Sequence, residues 1–224
     1  MARPGRRRIR RRPSMLHDRG TAVTDSARTS RRPAQDLALI AVFVGVIAAL
    51  GLVPGLQVPG FAVPITLQSM GVVLAGAVLG GRRGFLAVVL FLGLVALGLP
   101  LLAGGRGGLS WFASPSAGFL YVWPFVALLV GGLTYRMGAP YKLRWGIPIN
   151  VLGGMVLMYI GGVAGLMVFG KLGFSAAFAA LAIYLPGDAV KMVVAALVAR
   201  GVHAAMPDLL PVHEPADDVE PVSA

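Results

Sequence analysis

The hydrophobic pattern divides this chain into a long apolar body and two polar ends. Between Leu37 and Val202, apolar residues run in blocks separated by short Gly/Pro-rich or basic interruptions. The blocks cover 37–53, 66–79, 85–99, 117–135, 147–169 and 186–202, most of them near the roughly 20 residues that cross a bilayer as a helix. An apolar lead-in, 174–184, precedes the last block, which opens at Pro186, a favoured first position of a helix. The pattern predicts an all-α membrane protein: six transmembrane helices over residues 36–202 in one domain. Residues 1–35 and 203–224 have no periodic apolar face and read as a disordered Arg-rich arm and a disordered acidic tail.

Composition agrees with that division. Of 224 residues, 57% are hydrophobic and only 13% charged, and the mean hydropathy is +0.79, outside the soluble globular range. The net charge of +11 is concentrated in the arm, where eleven of the 20 basic residues are arginines before Pro33. That arm suits a cytosolic anchor near anionic lipid headgroups better than a nucleic-acid arm, so no nucleic-acid partner is expected. No compact apolar segment with a small-residue cleavage site follows the arginines, which argues against a cleaved signal peptide; Met15 offers an alternative start. With six spans both termini share a side. Placing them inside puts Arg82, Arg83, Arg136, Lys142, Arg144 and Arg200 in cytoplasmic segments and leaves only Arg106 and Lys171 outside. The positive-inside rule therefore predicts N-in/C-in.

Several chemistries are excluded. There is no cysteine, and His17, His203 and His213 all lie outside the apolar blocks, so thiolate chemistry and an intramembrane histidine base are both unavailable. A metal site would need several His, Asp or Glu ligands, and none is expected; nor is a cofactor. Residues 165–172 satisfy GxxxxGK, but Leu172 stands where the magnesium-binding Ser/Thr belongs, and the stretch ends a membrane helix. It is a chance match, and any ATP hydrolysis must come from other subunits.

Asp188 is the one acidic residue between Leu37 and Val202, and Lys191 follows it at i+3. On a helix the two head groups share a face, and charges at membrane depth are costly and commonly line a cavity or substrate path. An acid in a first helical turn is also favoured by the macrodipole, although capping alone leaves Lys191 unexplained. A second unusual stretch is Gly104-Gly105-Arg106-Gly107-Gly108, with Trp111 and Phe112 beyond it; such glycines expose backbone groups and permit close ligand approach. A third is the apolar, Pro/Gly-punctuated loop 54–64, suited to a lid. The predicted topology brings all three to the outer side, where they can form one pocket. The first helix carries Ala38, Ala41, Gly45, Ala48 and Ala49 at helical spacing, fit either for internal packing or for docking another membrane subunit.

These motifs resemble those of the BioY family, the biotin-specific S components of energy-coupling factor (ECF) transporters. The resemblance rests on VPITLQ at 63–68, GLP at 98–100, AGGRGG at 103–108, PSAGFL at 115–120 and LPGDAVK at 185–191, and covers about 36–202. It implies a non-enzymatic, multi-pass subunit of the bacterial cell membrane. Such a subunit binds biotin on the outer side and topples in the membrane to release it inward. It also implies partners: a coupling transmembrane subunit and two ATP-binding subunits. Asp188 and Lys191 then face the ureido ring, and Arg106 or the amides of Gly105 and Gly107 face the valerate carboxylate. Phe61, Trp111, Phe112 and Tyr121 become candidate walls, and Ala38, Ala41 and Gly45 the docking face. The readings that compete with it are an S component for another vitamin such as riboflavin or thiamine, an intramembrane enzyme, and a structural membrane protein.

Overall fold

The computed structural model describes residues 21–61 and 63–210, with side chains from Pro33 onward except that of Asp208. The first twenty residues of the arm, including Met15, and tail residues 211–224 lie outside that range. Six helices carry the fold: α1 (Thr21–Leu52), α2 (Gln68–Leu79), α3 (Gly81–Ala96), α4 (Ala117–Met137), α5 (Leu143–Val168) and α6 (Phe174–Ala205). No strand occurs among the described residues, only isolated antiparallel bridges at Leu56–Ile65 and Leu102–Arg106. α1 starts upstream of the expected boundary at residue 36, because an established helix propagates at the cost of one residue's freedom per added bond.

Four of the six helices are long and apolar enough to cross a bilayer: 33–52 within α1, α4, α5 and α6. α2 has 12 residues and α3 has 16, so α2 extends only about 18 Å at 1.5 Å per residue. The shortness of α2 follows from its position. It packs against α3, α4 and α6 and is buried along nearly its whole length from Gln68 to Leu79. A helix enclosed by protein need not cover the hydrocarbon itself, and the irregular loop before it is tolerated because it lines a cavity.

Close packing explains the glycines of the fifth apolar block. A Cβ on Gly118 of α4 would overlap Gly161 O, and one on Gly165 of α5 would sit 2.6 Å from Gly118 N. Only glycine lets the two backbones approach that far. Within α5 the helix widens into a π turn over Leu152–Leu157, where Gly154 passes against Met192 of α6. α6 is one helical run rather than a lead-in followed by a span. It tightens to a 3-10 turn over Leu181–Tyr184 just before Pro186, whose missing N–H cannot close the regular ladder.

Candidate functional site

α6 supplies the ion pair. Lys191 Nζ donates to Asp188 Oδ1 at 2.8 Å, as the i,i+3 spacing requires. Asp188 and Lys191 are 6% and 7% exposed, so their charges depend on partners from other elements. Lys191 also donates to Thr66 O at 2.7 Å, with Ser69 Oγ at 3.5 Å. Tyr159 of α5 donates to Asp188 Oδ2 at 2.9 Å. Both carboxylate oxygens and the ammonium are therefore held from α2, its preceding loop and α5. Such completeness is what makes a buried ion pair tolerable.

The loop before α2 is closed as a hairpin. Leu56 N donates to Ile65 O at 2.9 Å and Ile65 N to Leu56 O at 3.0 Å, while Gln57 Nε2 donates to Phe61 O at 2.7 Å. The hydroxyl of Tyr184 donates to Val63 O, tying the hairpin to α6. The loop expected as a lid is thus tied to α6 at Tyr184, one turn before Asp188.

The glycine loop forms a second, tighter hairpin. Leu102 N donates to Arg106 O at 2.9 Å and Arg106 N to Leu102 O at 3.1 Å. Gly104 and Gly105 turn the chain at φ +82° and +69°, a region that side chains disfavour. Arg106 Nε donates to Ala103 O at 2.6 Å, and its guanidinium lies 4.6 Å from the centre of the Trp111 ring, a cation–π geometry. Burial draws the Arg106 guanidinium below its ordinary value, yet an arginine stays charged near neutral pH.

These elements line one cavity that is open on one side. Val63, Pro64, Thr66, Gln68 and Ser69 line it on one side; Leu102, Ala103, Arg106 and Trp111 come from the glycine loop and the turn after it. Phe119, Leu120, Trp123 and Met158 complete apolar walls beside Tyr184, Asp188 and Lys191. The ion pair cancels its own charge and Arg106 adds one positive charge, so the cavity suits a monoanion with a hydrogen-bonding head and an apolar body.

Of the residues singled out from sequence, Asp188, Lys191, Arg106 and Trp111 come together in this cavity. Phe61, Phe112 and Tyr121 are not among its lining residues. Phe61 sits in the closed hairpin, and Tyr121 is half-exposed, donates to Phe112 O at 2.6 Å and packs against the Phe112 ring. Gly105 turns away to a groove bordered by Gly45, Ala48, Ala49 and Gly51. Gly107 keeps the loop close, since a Cβ there would overlap Leu99 O. Ala38, Ala41 and Gly45 lie exposed on α1, opposite the buried Ile40, Val44 and Ile47. Sequence reading missed Gln68, Tyr159, Trp123 and Tyr184. The polar residues of 66–69 opening an apolar helix were a signal for Gln68, whereas nothing local marks the contact of Tyr159 with Asp188 across 29 positions.

Comparisons with known proteins point the same way. The family model described as the BioY family matches residues 21–208. The "Biotin transporter BioY" of Rhizobium etli is 46% identical over 183 residues, covering 79% of this chain and 97% of that protein. That of Rhodobacter capsulatus is 46% identical over 186 residues, with the same coverage of each chain. Among solved structures, the S-component for biotin from an ECF-type ABC transporter superposes with a TM-score of 0.75 at 28% identity, covering 78% of this chain and 93% of that one. The chain is a multi-pass membrane protein and belongs to the BioY family.

Proposed function

We propose that this chain binds biotin in the cavity between α2, α4, α5 and α6 and serves as the substrate-binding subunit of an ECF-type biotin transporter. The observation that carries this reading is the pairing of a networked Asp188–Lys191 couple with a separate cation, Arg106, in one apolar-walled cavity. Biotin presents a ureido ring with two N–H donors and one strong acceptor, an apolar thioether ring and a carboxylate. Asp188 uses each oxygen once, and a carboxylate has further lone pairs for ureido N–H groups. Lys191 reaches the ureido carbonyl by exchanging its longest contact, the one to Ser69 Oγ at 3.5 Å, for the ligand oxygen. Arg106, stacked on Trp111, is the group that meets the carboxylate by charge-assisted hydrogen bonds, and Phe119, Trp123 and Met158 cover the thioether ring.

The distribution of basic residues supports N-in/C-in insertion with the cavity toward the outside. In that orientation Arg82, Arg83, Lys142, Arg144 and Arg200 meet the anionic inner leaflet. The exposed Ala38, Ala41 and Gly45 face of α1 is then where a coupling transmembrane subunit docks, with two ATP-binding subunits supplying the energy. Isothermal titration of the purified chain with biotin, riboflavin and thiamine tests the substrate. Saturable binding of biotin alone is expected; preference for another vitamin, or no saturable binding, overturns the assignment.

A further inference from the structure

Gln68 occupies a position that its place in the cavity wall does not by itself explain. It is 1% exposed, and its side-chain amide joins three elements. Nε2 donates to Ile47 O of α1 at 3.2 Å and to Leu101 O at 2.9 Å, and Oε1 accepts from Ala103 N at 2.8 Å. Both amide hydrogens are used and the oxygen is engaged, so the group is committed to backbone rather than free for a ligand.

Two of the three atoms it holds belong to the hairpin that carries Arg106. Leu101 and Ala103 flank Leu102, the residue bridged to Arg106, and Ala103 O itself takes the bond from Arg106 Nε. The stretch 101–106 is therefore fixed at its base by one amide and at its tip by two ladder bonds and the Trp111 stack. Gly51 shows how tight the junction is: a Cβ there would sit 2.6 Å from Leu101 O and 2.7 Å from Gln68 Nε2. The same stretch has two faces. Leu102, Ala103 and Arg106 line the ligand cavity, while Leu101, Gly104 and Gly105 border the groove on α1.

We infer that Gln68 is a positioning residue: it sets where Arg106 stands in the cavity by bolting the glycine hairpin to α1 and α2. The ligand half of this inference rests on the proposed biotin site, with Arg106 meeting the carboxylate. Gln68 then governs recognition of the anionic end of the ligand and leaves recognition at Asp188 and Lys191 largely alone. Methionine matches glutamine in length but makes none of the three bonds, so Gln68→Met removes the bolt without opening a large hole.

Titrations with biotin and with its neutral methyl ester test this on wild type, Gln68→Met, Arg106→Ala and the double variant. Gln68→Met should weaken biotin by about tenfold and the ester by less than about threefold, the scale of lost hydrogen bonds to a charged partner. On the Arg106→Ala background it should add little. Equal losses for both ligands, or a full loss persisting without Arg106, overturn the inference in favour of a general packing role. Gly51→Ala presses on the same junction from α1 and should reproduce the split; unchanged biotin affinity in that variant counts against it. A ligand-free arm keeps the two readings apart. With Trp123 and Trp145 replaced by Phe, Trp111 emission should shift and its acrylamide quenching rise on Gln68→Met. If wild type binds neither ligand the biotin reading fails, and the Trp111 signal alone decides for or against Gln68.

Discussion

The two charged walls of the cavity are built differently. Asp188 and Lys191 stand one turn apart on a long helix and meet by helical geometry alone. Arg106 stands on a hairpin whose glycines adopt positive φ; Ala103 and Trp111 hold its side chain locally, while Gln68, more than 30 positions away, anchors the hairpin itself. A charge carried by a helix is placed by local bonds, so substitution of its neighbours changes strength more than position. A charge on a loop is placed by tertiary contacts, and losing one of them moves it.

Substitutions can break this contrast. The largest effect belongs to the ion pair. Asp188→Ala leaves a buried ammonium with only Thr66 O and Ser69 for company, and should cost about 3–5 kcal/mol of stability. The double variant Asp188→Ala/Lys191→Met should lose clearly less in the same thermal unfolding series. If the double variant is no better than the single, the two charges are not coupled as their 2.8 Å contact requires. Asp188→Asn keeps the shape and removes the charge; it should weaken biotin binding at least about tenfold, and unchanged affinity would remove Asp188 from the site.

On the loop wall, Arg106→Lys should lose about as much biotin affinity as Arg106→Ala, roughly tenfold to twentyfold, because an ammonium cannot reproduce the planar fork stacked on Trp111. Full rescue by lysine would make the loop cation a point charge that tolerates displacement, and the contrast with α6 would fade. The smallest effect is expected from Tyr159→Phe, which deletes one bond to Asp188 while Lys191 holds the other oxygen. A loss of about threefold in affinity, near the low end for an ordinary hydrogen bond, fits a contact that acts on the ligand only through Asp188; a loss as large as that of Asp188→Asn would give the tyrosine an equal share in holding the ligand.

Six helices were legible from hydrophobic blocks because burial in lipid or protein imposes apolar runs directly on sequence. Most boundaries shifted by only a few residues, as at α4, expected over 117–135 and observed over Ala117–Met137. The division between helices that cross and helices that do not was less visible. α2 is as apolar as its neighbours, and only its enclosure by α3, α4 and α6 explains how 12 residues suffice. Candidate walls chosen for aromaticity fared unevenly: Trp111 lines the cavity, while Phe112 and Tyr121 pair with each other beside it. Trp111 and Phe112 are adjacent on a short 3-10 turn, Leu109–Ala113, where neighbouring side chains point in different directions, and spacing alone does not say which faces inward.

What the sequence by itself determined was the apolar body, its six helices and the Asp188–Lys191 couple, since each follows from helical periodicity and from the cost of placing charge among apolar residues. Only the tertiary structure decided that Tyr159 and Thr66 complete the network around that couple, and that Gln68 anchors the hairpin of Arg106 to α1. Those contacts join residues 21 to 125 positions apart, and no local pattern carries a hydrogen bond made through the packing of helices.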